Sequence, residues 1–449
     1  MNYCLHLNKS IKPKMKLRSF ILPLLFISLI TKSAYSQERL SLQQAVEISL
    51  QNNFDIKLSS NNVDIAKTNV SRGLSAMLPT VTGNFTRSNA IQNLEQTRSG
   101  TTEKKDWAKS SNMAYGPVLN WQIFDGFGMF ARYDQLKEFQ KLGETTLQLT
   151  IHTTLTNVIT IYYDLVQQQQ QIRALQTALE ISRIRLKNSR SRYEIGKAAK
   201  LEVLAASVDL NTDTTNLLRQ RDTYRNTKIK LNELLSRSID TDFTVADTII
   251  IQNNLKLTEL QNIASTQNPA IQSAIINQRI ADLNLKQIRS DRYPVISLNS
   301  GYNFNKSTSE LGFANLSQSN GLNYGVSASL NIFSGFLQRK NERIASIEVM
   351  NSTLQLEKTN LNITSQIASF YQTYQTNLEL VNLEEQNLNV AKQNLDITLE
   401  KFRLGSVAPL EFREAQRNYI DASARYSNAQ FEAKLAEISL KQLTGSIKL

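Results

Sequence analysis

Residues 123–127 read Ile-Phe-Asp-Gly-Phe, and residues 332–336, 209 positions later, read Ile-Phe-Ser-Gly-Phe. Self-similarity at a fixed offset marks a duplicated structure. We therefore expect a first structural repeat at 37–239, a linker at 240–254 and a second repeat at 255–449. Other anchors keep an offset of 209 or 215, and these are Asn53-Phe54 with Asn268-Pro269, Leu78-Pro79 with Tyr293-Pro294, and Gly196 with Gly405.

Apolar and small polar side chains alternate in the residues before each Phe-x-Gly anchor. The odd positions from Met113 to Ile123 are mostly apolar, as are the even positions from Leu322 to Ile332. Strands of about ten residues with one apolar face are typical of tilted transmembrane β-strands, although a soluble hairpin shows the same alternation. Two strands are expected in each repeat, at about 79–90 and 112–124, joined by a polar loop at 92–111, and at about 294–305 and 321–333.

An apolar repeat of seven residues follows each anchor, from Val158 to Tyr193 and from Ile367 to Phe402. Such a repeat makes long helices supercoil around their neighbours. No proline interrupts 126–193 or 335–402, so each predicts one helix of about 68 residues, about 100 Å long. Gly196 and Gly405 are expected to start returning helices, which completes hairpins at 126–236 and 335–444. One further helix is expected before each strand pair, at 42–76 and 257–292.

Composition excludes several classes of function. The chain has 51 Lys plus Arg against 39 Asp plus Glu, and the first 36 residues hold six of these bases and no acid. The remaining 45 against 39 form no concentrated basic face, so nucleic acid is not an expected partner. Cys4, His6 and His152 are the only cysteine and histidines. We therefore expect no enzyme, no metal and no cofactor, and interpret His152 as a packing or surface residue.

The N-terminal 36 residues resemble a secretory signal peptide. Lys16 and Arg18 precede the apolar run 20–30, and Ala34-Tyr35-Ser36 provides a small-x-small cleavage site. Eleven apolar residues are too few for a membrane helix, which needs about 20. Export by the Sec route is expected, with either Met1 or Met15 as the start, and no cysteine follows the cleavage site to carry a lipid.

Four strands cannot close a barrel, and an open sheet edge is not tolerated in lipid. The chain is therefore expected to oligomerise through its sheet. Eight strands from a dimer would be filled by side chains, whereas larger barrels leave an aqueous lumen. Small polar residues such as Gly116, Asn120 and Ser327 on the inward face suit a wet lumen, and so a trimer or a tetramer.

The sequence resembles the TolC family of outer-membrane efflux proteins. The features that carry this resemblance are the repeated halves, the Leu-Pro and Tyr-Pro strand entries, the Ile-Phe-x-Gly-Phe strand exits, and the turns Tyr193-x-x-Gly196 and Phe402-x-x-Gly405. The resemblance implies a mainly α fold with transmembrane β-strands, in which a homotrimer forms a 12-stranded barrel in outer-membrane lipid and an α-helical periplasmic tunnel. It also implies docking to a periplasmic adaptor (membrane fusion protein) and an inner-membrane RND or ABC pump. The chain would then conduct cargo passively in tripartite efflux or type I secretion. An exported coiled-coil scaffold of the cell envelope is the alternative.

Three groups of site residues follow from the strand pattern and the resemblance. The apolar strand face predicts lipid contact by Leu119 and Leu330 near mid-bilayer, and by Trp121 and Tyr324, together with Tyr115 and Tyr302, near the interfaces. The resemblance implies adaptor docking at the helix turns, represented by Tyr193, Gly196, Phe402 and Gly405. It also implies a periplasmic aperture at the sixth and ninth positions after each turn glycine, which are Glu202, Ala205, Glu411 and Glu414.

The sequence offers two candidates for the gate of such an aperture. The basic gating residue of the resembled family falls on Val407 here, so its closing salt bridge does not carry over. Arg403 and Arg413 are candidates to replace it. Rings formed by Glu411 and Glu414 are expected to favour cations, whereas the alternative for both is an ordinary solvated helix face.

Overall fold

The computed structural model describes residues 38–246, 248–312 and 314–446. The predicted signal peptide lies outside these residues. After strand β1 (Glu38–Arg39), the first half contains α1 (Leu42–Asn52), α2 (Phe54–Asn69), β2 (Thr80–Arg98), β3 (Thr101–Asp125), α3 (Gly128–Glu194) and α4 (Lys200–Leu234). After strand β4 (Phe243–Thr244), the second half contains α5 (Leu257–Gln267), α6 (Pro269–Ser290), β5 (Val295–Ser309), β6 (Leu316–Ser329), α7 (Leu337–Arg403) and α8 (Pro409–Leu443).

The helix before each strand pair is broken, which corrects the single helices expected at 42–76 and 257–292. Asn53 and Asn268 have ψ values of 130° and 122°, outside the helical region. Each asparagine then caps the next helix, because its side-chain oxygen accepts hydrogen bonds from the two backbone N–H groups of Asp55 and Ile56, or of Ala270 and Ile271. Pro269 at the first position of α6 also suits a helix start.

The four long strands form one antiparallel sheet in the order β2-β3-β5-β6. β2 and β3 pair from Thr80↔Asn120 to Arg98↔Thr101, so the expected polar loop at 92–111 is wrong: this segment is mostly a β-ribbon. Most residues on both of its faces are polar, and a ribbon that is solvated on both sides needs no apolar alternation. β2 and β6 each have one unpaired edge within the described residues.

The last strand is shifted relative to the expected 321–333. β6 begins at Leu316 and ends at Ser329, which pairs with Val295. The residue before Val295 is Pro294, and proline has no N–H to continue the ladder. Leu330 therefore follows the strand instead of lying within it.

The two long helices have equal lengths. α3 and α7 each contain 67 residues, and their returning partners α4 and α8 each contain 35. The residues before α3 and α7 are Phe127 and Phe336, both left-handed with φ of 69° and 63°, and each packs edge-on against the phenylalanine three residues earlier. No helix of the described ranges carries a stretch apolar enough to traverse a bilayer.

The main core lies beside the segment that joins the halves. There α3 and α4 pack on Leu40 and Phe243, which are fully buried. The Tyr162 hydroxyl donates to the Leu40 carbonyl (3.1 Å), and the equivalent Tyr371 hydroxyl donates to Leu255 (3.3 Å). Both halves thus hold the incoming chain by a tyrosine of the long helix. Because α3 and α7 each follow a strand and end at a turn, the sheet and the helix turns lie at opposite ends of each hairpin.

Candidate functional site

The two helix turns have the same backbone. After α3, Gly196 (φ 75°) donates to the Tyr193 carbonyl (2.9 Å), and Lys197 donates to Arg192 (2.7 Å). After α7, Gly405 (φ 77°) and Ser406 repeat this pattern, which is the Schellman motif. No atom lies within 4 Å of a Cβ built on either glycine, so glycine is needed for the left-handed conformation and not for space.

Large apolar side chains are exposed around both turns. Tyr193 is 44% exposed, whereas Phe402 is buried and stacks on Phe412 with ring centroids 4.8 Å apart. The most exposed apolar residues at this end are Ile195, Leu201, Leu404 and Leu410, at 66%, 75%, 83% and 73%. These four residues were not among the predicted docking residues, although an apolar residue near a turn glycine was the available signal.

The predicted aperture residues are not equivalent. Glu411 and Glu414 are both exposed on one side of α8, where the nearest cation to Glu414 is Arg417 at 3.8 Å. Glu202 instead turns back on its own hairpin: it contacts Arg192 at 3.3 Å and accepts a hydrogen bond from the Ser189 hydroxyl at 3.2 Å. The chain therefore brings Glu411 and Glu414 together and leaves Glu202 engaged elsewhere.

A buried polar cluster near the turns joins the two hairpins. Arg413 of α8 contacts Asp213 of α4 at 2.9 Å and Asp209 at 3.5 Å. Burial alone lowers the pKa of Arg413, but hydrogen bonds and charge from Asp213 and Asp209 outweigh it, so the pKa is raised and the guanidinium stays charged. We name Ser182, Arg185, Asp209, Asp213, Arg413 and Gln416 the hairpin cluster.

The other members of the hairpin cluster complete its hydrogen bonding. The Ser182 hydroxyl donates to Asp213 (2.5 Å), Arg185 contacts Asp209 (2.5 Å), and the Gln416 amide donates to the Ala178 carbonyl (2.8 Å). Apart from Arg413, a candidate gating residue, sequence reasoning missed this cluster. A signal was present, because Ser182 follows the heptad position Leu179 by three residues, where an apolar side chain is expected.

A family model described as outer membrane efflux protein matches residues 45–237 and 260–446 of this chain. The chain belongs to this family. The resemblance drawn from its motifs is thereby confirmed, and the two matched ranges fall one in each half. Members of the outer membrane efflux protein family are channels of the outer membrane rather than enzymes, and the outer membrane is where this chain resides.

Two curated relatives illustrate the family. Outer membrane protein TolC of Escherichia coli (strain K12) is 20% identical over 447 residues, which cover 95% of this chain and 86% of that protein. Outer membrane protein TolC of Vibrio cholerae is 20% identical over 318 residues, covering 70% of this chain and 72% of that protein.

Solved structures show the fold. The Campylobacter jejuni CmeC outer membrane channel superposes with a TM-score of 0.78 at 17% identity, over 90% of this chain and 85% of that one. The outer membrane protein VceC from Vibrio cholerae gives 0.74 at 16% identity, over 90% and 96%. The outer membrane efflux protein fold, with long helical hairpins and four strands in each chain, is therefore confirmed.

On the strand face, the structure places the expected lipid-facing residues at different heights. Leu119 lies within β3 and pairs with Ser300, which in turn pairs with Tyr324. Trp121 lies nearer the helices, where its indole N–H donates to the Met77 carbonyl at 3.0 Å. Leu330 lies one residue past the end of β6, at the strand-to-helix junction, and its contact with lipid stays a prediction.

Proposed function

We propose that three copies of this chain form the outer-membrane channel and periplasmic tunnel of a tripartite efflux or type I secretion system. Cargo enters from an inner-membrane RND or ABC pump through a periplasmic adaptor and leaves passively through the barrel. The observation that carries this proposal is one sheet with two open edges, joined to two long hairpins of equal length. Closing three such sheets edge to edge gives 12 strands and brings six hairpins side by side. The scaffold alternative requires no such sheet.

Edge-to-edge closure can be tested with paired cysteines, since the chain holds only Cys4, in the predicted leader. Val118 pairs with Gly301 within the protomer. The repeat offsets place Ser327 and Thr86 in the same relation between protomers. Thr86→Cys with Ser327→Cys should give a disulfide-linked trimer on denaturing gels. A control with Thr86→Cys and Ser317→Cys is out of register and should remain monomeric; linking of both pairs alike would contradict this closure.

We further propose that the adaptor docks on the apolar side chains at the two turns. Their exposure leaves apolar area that a partner can cover, and such area is unusual on a free surface. Leu404→Asp with Leu410→Asp should abolish adaptor cross-linking and efflux while the trimer still inserts. Ser406→Asp adds a charge to the same turn without removing apolar surface, and should keep most of both activities. Full efflux in the double variant would place the contact elsewhere.

We also propose that the periplasmic aperture is lined by Glu411 and Glu414 and not by Glu202, because Glu202 contacts Arg192 and Ser189 of its own hairpin. Glu411 and Glu414 of three protomers would form two stacked rings of carboxylates that select cations. Glu202, held by Arg192, contributes to the stability of its turn and not to selectivity. The hairpin cluster supports this arrangement, because it ties the inner residues of α8 to α3 and α4 next to the proposed rings.

A further inference from the structure

Two cations that have no ion-pair partner among the described residues lie on either side of Met113, on the apolar face of the sheet. Arg87 of β2 pairs with Met113 of β3, and Met113 pairs with Lys306 of β5. Residues that pair across an antiparallel sheet point to the same side, and so do residues two apart along one strand. Arg87 and Lys306, which we name the cationic row, therefore share the face of Tyr115, which stacks on Phe304 with centroids 5.0 Å apart.

The cationic row lies directly beyond the apolar band on the side away from the helices. The band runs along β3 from Phe124, which pairs with Ile296, to Tyr115. With about 3.4 Å of rise per residue and a tilt near 40°, this stretch spans roughly 23 Å of height. Outer-membrane strands carry an apolar band about 25 Å tall, bounded by aromatic residues. Tyr115 and Phe304 thus mark the outer boundary, and the cationic row is the next row outward.

No acidic side chain among the residues that the structure describes neutralises the charge of this row. Farther along the same hairpin, Lys104 contacts Glu95 at 2.8 Å and Lys105 contacts Glu310 at 3.3 Å. Arg87 and Lys306 are exposed, and neither forms an ion pair within the part of the chain that the structure describes. Two strand spacings of about 4.8 Å separate them, which suits an anion with more than one phosphate.

We propose that the cationic row binds the phosphorylated head group of the glycolipid that forms the outer leaflet of the outer membrane. This rests on the proposed function, in which the apolar face contacts lipid and the hairpin ends lie outside the cell. At this height only head groups of the outer leaflet reach the protein. A guanidinium binds phosphate oxygens in a bidentate manner, and an ammonium adds a point charge. Each trimer presents three such rows.

The test uses the full-length trimer in detergent, with lipid A and fully dephosphorylated lipid A as probes in native mass spectrometry. Wild type should bind phosphorylated lipid A about tenfold more tightly than dephosphorylated lipid A. Arg87→Gln with Lys306→Gln should lose this preference. The control, Lys104→Gln with Lys105→Gln, removes the same charge from cations that already have partners and should behave as wild type.

Three outcomes overturn the proposal. The first is that the row variant still prefers phosphorylated lipid A as wild type does. The second is that the control variant loses this preference as fully as the row variant. The third is that phosphatidylglycerol vesicles or inorganic phosphate displace lipid A from wild type as well as lipid A itself does. Fractionation and bilayer conductance separate this failure from failure of the proposed function. If the row variant inserts and conducts normally, any change in its lipid binding concerns the cationic row alone. If the wild-type chain is absent from the outer membrane, both the lipid proposal and the proposed function are refuted.

Discussion

The two halves share a backbone but have diverged at the residues that join them. With the 209-residue offset, Asp209 and Asp213 of α4 correspond to Asn418 and Ala422 of α8, and Arg413 of α8 corresponds to Leu204 of α4. Both acids therefore come from the first half, and the base that bridges the two hairpins, Arg413, comes from the second. The other base of the cluster, Arg185, pairs with Asp209 within the first half. Two identical hairpins could each pack against a like hairpin or against the other one. The contacts of Arg413 with Asp209 and Asp213 favour packing of the second hairpin against the first.

The same divergence separates the two turns. Glu202 of the first turn is paired with Arg192 inside its hairpin, whereas Glu411 of the second turn is exposed. Phe412 fills the second turn by stacking on Phe402, and Val203 occupies its place in the first. The second turn is thus held by buried contacts that leave its carboxylates available. The first turn uses its carboxylate for its own stability.

Removing an acid of the hairpin cluster should have the largest effect. Asp213 is 3% exposed, and Asp213→Ala leaves the half-buried Arg413 with Asp209 alone, which should cost about 3–4 kcal/mol of unfolding free energy per protomer. Denaturant unfolding of the detergent-solubilised protein measures this. Asp222→Ala, an exposed acid on the same helix, should cost little. Adding Arg413→Met to Asp213→Ala should recover much of the loss, and no recovery would mean that the cluster does not act as a pair.

The free-energy cost of a charge on the apolar face of the sheet should depend on how deep in the membrane the charge lies. Leu119→Arg places a cation within β3 near the middle of the apolar band, at a cost of about 2–4 kcal/mol per protomer, whereas Leu330→Arg, past the end of β6, should cost about 0–1 kcal/mol. The fraction of heat-modifiable protein in outer-membrane preparations reports insertion. Equal defects in the two variants would show that Leu330 lies deeper than the end of β6 indicates.

Alkaline pH should destabilise the packing around Tyr163, a tyrosine that only the first half contains. Burial, with added effects of Glu437 and Tyr162, raises the pKa of Tyr163 to about 12, while the second half has Gln372 at this place. A raised phenol pKa means that its stabilisation is complete below pH 10 and is lost as pH rises from 10 to 12. Two units correspond to roughly 2–3 kcal/mol. Tyr163→Phe should match wild type near pH 7 and lose less stability between pH 10 and 12; identical alkaline melting curves would exclude Tyr163 as the cause.

The smallest effect is expected at the turns. Glu411→Gln with Glu414→Gln should lower cation selectivity several-fold in planar bilayers, which corresponds to a change of less than about 1 kcal/mol in the free energy of each permeating ion. The same double change should weaken the block by trivalent cations added on the periplasmic side. Glu202→Gln should leave selectivity unchanged and lower the melting temperature slightly. If Glu202→Gln alters selectivity as much as the double change, its contact with Arg192 does not persist in the assembled channel.

The repeat, the strands and the long hairpins could be predicted from sequence because each depends on local periodicity or a constant offset. The breaks at Asn53 and Asn268 were missed, since one extended residue scarcely disturbs an apolar pattern. The hairpin cluster joins Ser182, Asp213 and Gln416, residues far apart in the chain, and no local pattern reports such contacts. The difference between Glu202 and Glu411 was not predicted, because only the folded turn brings Arg192 beside Glu202.

The unpaired edges of β2 and β6 have a consequence before any channel exists. A newly exported chain carries two strand edges that can pair with any extended segment they meet, and only other copies of the same chain offer matching edges on both sides. Folding and assembly are then a single event whose success rises with the local concentration of newly made chains. When copies are scarce, we expect the uncovered edges to make an unassembled protomer prone to aggregation.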